Sequence, residues 1–283
     1  MLGKVDLVMW TKNGERTLPL VLRRINEVIP AESVHTRLVV DDQSSDDTVE
    51  IAKSMGWAAV SNEGEGISDG ANTALKNVET EFFISFEQDL LLARNWWANI
   101  PSYMINSRVA VASGIRFVLC PEVLRKIEEY SVESYEYEER KGTYFPFVKT
   151  IDNTIYRTSA IRKVGGFPKI PSSIGVDQAL SQRVFLSGYK WKVDYAVRSV
   201  HLRDGLRGEL AHNRWYGMHL DELEQFMYKR NVGIRSMLAR LLLSPARGFD
   251  IALKKHAPAA IYTYPAIRLS LIKGLVEGRR SKP

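Results

Sequence analysis

The chain has 283 residues, of which 45% are hydrophobic and 25% are charged, enough for one large α/β domain with an appendage or for two small domains. Its single cysteine, Cys120, excludes a disulfide framework and a cysteine-rich zinc cluster, and it favours a reducing, cytoplasmic compartment. The formal net charge of +6 arises in the C-terminal tail, because residues 1–228 carry a net charge of −4, and this uneven distribution argues against a nucleic-acid-binding protein.

The N-terminal half alternates short apolar runs with segments of helical periodicity. The first run follows the N-terminus directly, without the long apolar stretch and small-residue cleavage site of a signal peptide. This alternation predicts an α/β fold with a mostly parallel sheet and helices on both faces. The predicted strands are 5–9, 38–40, 58–60 and 82–86, and the predicted helices are 18–29, 46–56 and 71–78.

Polar residues and glycine follow all four predicted strands. Ligands of parallel sheets bind beyond the carboxyl ends of the strands. We therefore expect these residues to meet at one edge of the sheet although they are far apart in sequence. They are Asn13, Asp42, Gly66 and Asp89.

Two pairs of carboxylates lie between the second predicted strand and the helix that follows it. Asp42 follows the strand directly, where it can accept a hydrogen bond from a nucleobase amide or a ribose hydroxyl. The next polar residues have a simpler interpretation, because Ser, Thr, Asp and Asn are the preferred helix N-caps. They are Ser44, Ser45, Asp46 and Asp47.

Glu87, Gln88 and Asp89 leave the fourth predicted strand together. Two carboxylates at the edge of a sheet are costly to desolvate without a cation or hydrogen-bond donors. A hard divalent cation such as Mn²⁺ or Mg²⁺, which also binds a diphosphate, would offset this cost. The alternative is a solvated acidic triplet, and the position after a buried strand favours the metal site.

A Gly-Gly-Phe-Pro sequence at 165–168 precedes a predicted helix with an apolar face. Asp177 falls in the first turn of this helix. The pattern alone indicates a carboxylate that interacts with the helix dipole, worth about 0.3–1 kcal/mol, with Arg183 in a surface salt bridge.

Taken together, these segments resemble family-2 glycosyltransferases, in the family's order and at ordinary spacing over residues 5–205. The resemblance implies a GT-A type, Rossmann-like fold and an inverting, nucleotide-sugar-dependent glycosyltransferase. The matching segments are 11–13, 39–48, 62–64, 71–72, 87–89, 165–167 and 176–183.

The resemblance also assigns roles to single residues. Thr11 and Asp42 match positions that contact the base and ribose of a UDP- or GDP-type sugar donor, and Asp177 matches the catalytic base that deprotonates the acceptor hydroxyl. Asp89 matches the metal-coordinating aspartate and Glu87 a less essential first acid. The remaining members of the predicted donor site are Asn13, Gly66, Asn72 and Gln88.

His201 follows a late predicted strand. It matches a position that supplies a further metal or phosphate contact, and the alternative is a packed structural histidine. Two departures from the family pattern stand out. The metal motif begins with glutamate instead of aspartate, and Val176 replaces the acid that precedes Asp177.

The resemblance divides the chain into a catalytic domain at 1–205 and a basic helical tail at 206–283. Within the catalytic domain we expect a donor-binding half at 1–110 and an acceptor half at 111–205. Residues 121–150 are rich in Glu and Tyr. They are interpreted as a solvated insertion or, alternatively, as an acceptor-binding one.

The tail carries twelve basic and two acidic residues after Tyr228, a net charge of +10. Apolar residues at 234, 237, 238, 241 and 242 follow helical spacing, and residues 261–276 mix apolar and basic side chains. No stretch reaches the roughly 20 apolar residues that span a bilayer. Packing onto the catalytic domain is one explanation. The other is a pair of interfacial helices on an anionic membrane, which predicts a peripheral enzyme on the inner face and a glycan or polyprenyl-phosphate-linked acceptor.

Three other classes of protein share parts of this pattern. A sugar-nucleotide pyrophosphorylase would carry a glycine-rich loop after the first strand, where this chain has Thr-Lys-Asn-Gly. A dinucleotide-binding dehydrogenase would carry G-x-G-x-x-G there, and the glycines at 64, 66 and 70 are a weak match after the third strand. A non-catalytic nucleotide-sugar-binding module of the same fold is the alternative that the two departures favour.

Overall fold

In the computed structural model, which describes residues 2–141, 149–203 and 205–281, the alternating apolar runs form an eight-stranded sheet within those ranges. The predicted α/β fold is confirmed. The strands are β1 (Val5–Thr11), β2 (Val34–Asp41), β3 (Ala58–Ser61), β4 (Phe82–Glu87), β5 (Leu90–Leu91), β6 (Val109–Val118), β7 (Asn153–Arg157) and β8 (Lys190–His201).

Helices connect and follow these strands. They are α1 (Leu18–Val28), α2 (Thr48–Ser54), α3 (Gly66–Lys76), α4 (Trp96–Asn99), α5 (Glu122–Arg140), α6 (Thr158–Lys163), α7 (Val176–Leu186), α8 (Gly205–Tyr228), α9 (Ile234–Leu242), α10 (Ser244–Lys254) and α11 (Ala260–Arg280). Short 3₁₀ helices cover Ala31–Ser33 and Ile100–Ile105.

The order of the strands is β3-β2-β1-β4-β7-β6-β8-β5. The β3–β2, β2–β1 and β1–β4 pairs are parallel, as the helical connections between them require. The β4–β7, β6–β7 and β5–β8 pairs are antiparallel. The antiparallel half brings the start of β7 and the end of β8 to the edge where β1, β2 and β4 end.

Alternate residues of the strands enter two separate apolar clusters, which shows that both faces of the sheet are covered. On β1, Leu7 and Met9 pack with the apolar residues of α1, whereas Val8 and Trp10 pack with those of α3. This two-sided burial explains why the parallel strands are nearly continuous apolar runs in the sequence.

Within the described ranges the chain forms two compact units, one of residues 2–116 and 149–202 and one of residues 117–141, 203 and 205–281. The predicted boundary near residue 205 lies close to the last of these divisions. The predicted insertion at 121–150 is divided between the two units, because α5 belongs to the unit of the C-terminal helices and residues 149–150 belong to the other unit. Residues 142–148 lie outside the described ranges.

Side chains of α5 and α10 explain this grouping. The Tyr130 hydroxyl donates a hydrogen bond to Asp250, and Glu133 forms an ion pair with Lys255. Apolar residues of α5, including Leu124 and Ile127, pack with residues of α10 and α11. The acidic and aromatic composition of 122–140 therefore complements the basic tail.

Helices α8 and α11 approach closely because glycine lies at their contact. A Cβ atom at Gly274 would meet the carbonyl of Arg214, and one at Gly217 would lie 2.9 Å from the backbone nitrogen of Leu275. The predicted tail is thus helical and packed within its own unit. No helix in the described part of the chain is long and apolar enough to cross a membrane.

Candidate active site

The register of the sheet brings the predicted site residues to one edge. Thr11 at the end of β1 pairs with Asp41 on β2, and Trp10 pairs with Glu87 on β4. Asn153 pairs with Phe86, so the start of β7 lies beside the end of β4. The expectation that the residues after these strands share an edge is confirmed by this register.

Asp42 and Thr11 lie next to each other at this edge, since the backbone N–H of Asp42 donates to the Thr11 carbonyl at 2.8 Å. The buried Asp42 carboxylate accepts hydrogen bonds from Asn62 Nδ2 at 2.9 Å and from the Gly66 N–H at 3.2 Å, and it pairs with Lys12. The Thr11 Oγ1 is buried without a hydrogen-bond partner among the described residues. An orphaned hydroxyl beside a carboxylate is the arrangement that a polar ligand would complete.

Asn13 and Gln88 both bond to the backbone of neighbouring loops. Gln88 accepts a hydrogen bond from the Lys12 N–H at 2.9 Å and donates one to the Lys12 carbonyl at 3.0 Å. Asn13, at a positive φ of 51°, accepts a hydrogen bond from the Ser45 N–H at 2.9 Å. The two side chains therefore fasten the loop after β1 to the loops after β4 and β2.

Gly66 and Asn72 shape the start and the middle of α3. Gly66 has a φ of +71°, a conformation that glycine adopts without strain, and it presents its N–H to Asp42. Asn72 donates to the Phe167 carbonyl and accepts from the Phe167 N–H, each at 2.9 Å. Through these two bonds α3 holds the Gly-Gly-Phe loop that leads toward α7.

The prediction that Ser44, Ser45, Asp46 and Asp47 cap the following helix holds only in part, because Asp47, the N-cap residue of α2, makes no side-chain capping hydrogen bond. Asp46 does accept a hydrogen bond from the Thr48 N–H at the start of α2, at 3.1 Å. It also accepts one from the Glu15 N–H, and the Ser44 hydroxyl accepts one from the Asn13 N–H. The segment consequently supports the loop after β1 as well as the helix.

Glu87, Asp89 and His201 converge, with one ligand atom of each within 4.8 Å of the others. The His201 Nε2 lies 3.0 Å from an Asp89 oxygen and 3.9 Å from a Glu87 oxygen. The antiparallel pairing of Leu90 with His201 fixes this geometry. Two carboxylates and an imidazole form a donor set that suits Mn²⁺, so the residues fit the predicted divalent cation. His201 is buried, yet its ring nitrogen faces the two acids.

Arg116 and Asp152 were not identified from the sequence. Arg116, on β6, bonds to a Glu87 oxygen at 3.3 Å and also to the fully buried Asp152, which precedes β7. One signal in the sequence could have identified Arg116: it is a charged residue within the apolar run of β6. A buried charge requires a partner, so this position predicts a nearby carboxylate. Arg116 therefore connects an acid of the metal-type cluster with a second, buried carboxylate.

Asp177 lies in the first turn of α7 and is partly buried. Burial raises its pKa to about 6; Arg116 and a hydrogen bond from the Gln178 N–H oppose this rise, and Asp152 adds to it. The charges of Arg116 and Asp152 therefore both act on the Asp177 carboxyl group. A carboxyl group with this pKa is suited to accept a proton near neutral pH.

The sequence profile described as "Glycosyl transferase family 2" matches residues 6–165. The chain belongs to this family, and it is therefore a glycosyltransferase. No curated protein matches the chain in sequence.

Solved structures of glycosyltransferases are similar in fold. The mannosyltransferase PcManGT from Pyrobaculum calidifontis, solved with GDP-Man and Mn²⁺, is 19% identical over 100% of this chain and 89% of its own, with a TM-score of 0.72. TarS from S. aureus is 14% identical over 99% and 92%, with a TM-score of 0.55. Glucosyl-3-phosphoglycerate synthase from Mycobacterium tuberculosis, solved with Mn²⁺ and UDP, is 15% identical over 79% of each chain, with a TM-score of 0.52. The predicted GT-A fold is confirmed.

Proposed function

We propose that this glycosyltransferase is an inverting enzyme that transfers a sugar from a UDP- or GDP-type donor to an acceptor hydroxyl, assisted by a divalent cation. The observation that carries the proposal is the convergence of Glu87, Asp89 and His201 at the edge where the strands end. Similar folds have been solved with GDP-Man, with UDP-GlcNAc and with UDP together with Mn²⁺, which supports the donor class and favours Mn²⁺ over Mg²⁺.

Asp177 acts as the base in this proposal. Its carboxylate accepts the proton of the acceptor hydroxyl while the acceptor oxygen forms a bond to the anomeric carbon. The bond from that carbon to the diphosphate oxygen breaks, and the nucleoside diphosphate leaves with the bonding electron pair. Attack on the face opposite the leaving group inverts the configuration and requires no protein nucleophile.

Glu87, Asp89 and His201 would hold the cation. When bound, the cation supplies positive charge that offsets the charge developing on the diphosphate. Arg116 donates a hydrogen bond to Glu87 and so helps to orient this carboxylate. The longer glutamate in the first position of the motif thus has a fixed partner.

The donor nucleotide is assigned to the edge formed by β1, β2 and α3. Thr11 and Asp42 contact the base and ribose, which would give the orphaned Thr11 hydroxyl a partner. The other four predicted donor residues act mainly by shaping the surrounding loops, since each already forms hydrogen bonds within the protein. They are Asn13, Gly66, Asn72 and Gln88.

The acceptor is proposed to be a glycan or a polyprenyl-phosphate-linked sugar at the inner face of the cytoplasmic membrane. The net charge of +10 after Tyr228 supports this location, because anionic lipids attract basic segments. Catalysis is assigned to residues 1–205, with the donor at 1–110 and the acceptor at 111–205, and membrane contact to 206–283.

A thermal-shift panel of nucleoside diphosphates, with and without Mn²⁺, tests the donor class. At least one of UDP and GDP should raise the melting temperature, and Mn²⁺ should enlarge the shift, because a ligand that binds only the folded state stabilises it. A matching nucleotide sugar should then be hydrolysed slowly in the absence of acceptor. If no nucleotide shifts the melting temperature under either condition, the proposal is rejected.

A further inference from the structure

Helices α9 and α10 expose a row of large apolar side chains. Leu238 is 45% exposed, Leu242 80%, Phe249 54% and Leu253 61%. Leu243, between the two helices, is in the right-handed helical region, so the helical path continues from one helix to the next. With the exposed Ala246 between them, these residues recur every three or four positions and form one continuous face.

The opposite side of the same helices already provides the internal packing. Met237 on α9 is buried with Leu271 and Leu275 of α11. Ile251 on α10 is buried, and a Cβ atom at Gly248 would lie 2.6 Å from the Ala260 carbonyl. The two helices are therefore fixed by one face, while the outer apolar row remains largely exposed.

Basic residues are interspersed with this row along the two helices. The stretch 234–254 contains one acid, Asp250, which accepts hydrogen bonds from Tyr130 and Lys254. The exposed bases of the stretch are Arg235, Arg240, Arg247 and Lys254. An exposed apolar row together with exposed basic residues on about 20 residues of helix is the pattern of an interfacial membrane helix.

We infer that this face, the α9–α10 surface (Leu238, Leu242, Phe249 and Leu253 with Arg235 and Arg240), inserts into the headgroup region of an anionic bilayer. The inference rests on the proposed function in placing the acceptor at a membrane. A soluble polyanion is a poorer partner, because it would pair with the basic residues but leave the apolar row exposed to water. A second copy of the chain, paired symmetrically, would place the bases of one copy against those of the other.

Vesicle co-sedimentation of the full chain tests the inference. The protein should bind vesicles of equal parts phosphatidylglycerol and phosphatidylcholine, more weakly at high salt, and should bind pure phosphatidylcholine poorly. The double variant Leu242→Glu/Phe249→Glu should lose at least about tenfold in partitioning, because two inserted apolar side chains become charged. Arg235→Gln and Arg240→Gln should each lose about fivefold on the anionic vesicles.

Ile105→Glu is the matched control, since Ile105 is 83% exposed in the 3₁₀ helix of the other unit and should not affect binding. Leu253→Glu provides a milder variant if the double variant unfolds.

Wild-type protein that stays in solution with anionic vesicles overturns the inference. A second result would also overturn it. In that result, light scattering shows that the wild type is a dimer without lipid and does not bind vesicles, and Leu242→Glu/Phe249→Glu dissociates the dimer. Nucleotide binding is measured on the same samples. If the wild type binds vesicles but no nucleotide, the proposed function is refuted, whereas the assignment of the α9–α10 surface is retained.

Discussion

At the scale of single residues, the proposed mechanism makes the carboxyl group of Asp177 the catalytic base. Burial raises its pKa to about 6, and a base must be ionised to accept a proton. Activity should therefore be full above this pH and fall about tenfold per pH unit below it, as the carboxylate becomes protonated. Asp177→Asn should lower kcat/KM by about 10²-fold or more while nucleotide binding survives.

A second first-turn acid provides the control for this prediction. Glu50 lies in the first turn of α2 and is exposed, so Glu50→Gln removes an equivalent helix-dipole interaction without touching the site. It should leave kcat/KM unchanged. An Asp177→Asn enzyme as active as wild type would show that the base lies elsewhere.

Arg116 and Asp152 act on Asp177 with opposite signs. Arg116 lowers the pKa of Asp177, and Asp152 raises it. Arg116→Gln should therefore move the acidic limb of the kcat/KM profile to higher pH, and Asp152→Asn should move it to lower pH. Profiles of the two variants that shift in the same direction, or not at all, would contradict this electrostatic coupling.

Whether a site residue could be predicted from the sequence depended on whether a local pattern or a distant strand pairing determines its neighbours. Thr11 and Glu87 end their strands, and Asp42 and Asp89 come just after strands, so a local pattern predicted their shared edge. The pairing of Arg116 with Asp152 depends on the antiparallel register of β6 and β7, in which Ser113 lies opposite Thr154. No local pattern in the sequence specifies that register.

At the scale of elements, the contact of α8 with α11 depends on glycine. A Cβ atom at Gly274 would meet the Arg214 carbonyl, which belongs to a helix backbone and cannot yield without moving the helix. Gly274→Ala should therefore lower the free energy of unfolding by about 1–3 kcal/mol, the usual cost of overpacking, although alanine has the higher helix propensity.

Denaturant unfolding followed by circular dichroism measures this change. Gly3→Ala is the control, because a Cβ atom at Gly3 meets nothing within 4 Å. A Gly274→Ala protein as stable as wild type would mean that the two helices are not held this closely.

Strands of the parallel half were predicted from the sequence because their periodicity is local: β1, β2, β3 and β4 all contain the predicted runs. The third helix, predicted at 71–78, begins earlier, at Gly66, and so includes part of the glycine-rich segment. The place of α5 was not predicted. Its partners Asp250 and Lys255 lie more than 100 residues away, and neither the charge nor the aromatic content of 122–140 identifies them. The helical spacing of α9 was also visible, but the spacing does not tell which side packs inward.

At the scale of the whole molecule, charge and chemistry are distributed unevenly along the chain. The residues of the candidate active site all lie in the unit of 2–116 and 149–202, whereas the basic tail lies in the other unit. The sequence indicated this separation through its charge, since residues 1–228 carry a net −4 and the remainder a net +10. The acids of α5 offset part of that positive charge within the second unit, which the linear charge pattern did not reveal.

The central claim, that the end of β4 carries a cation-dependent donor site, is tested most directly by calorimetric titration of UDP and GDP with and without Mn²⁺. The wild type should bind at least one of them more tightly with Mn²⁺, and Asp89→Ala should abolish that enhancement. Glu87→Ala should weaken it less, and Glu32→Ala, an exposed acid in the 3₁₀ helix before β2, should leave it intact. An Asp89→Ala protein with undiminished Mn²⁺-dependent affinity would contradict the account.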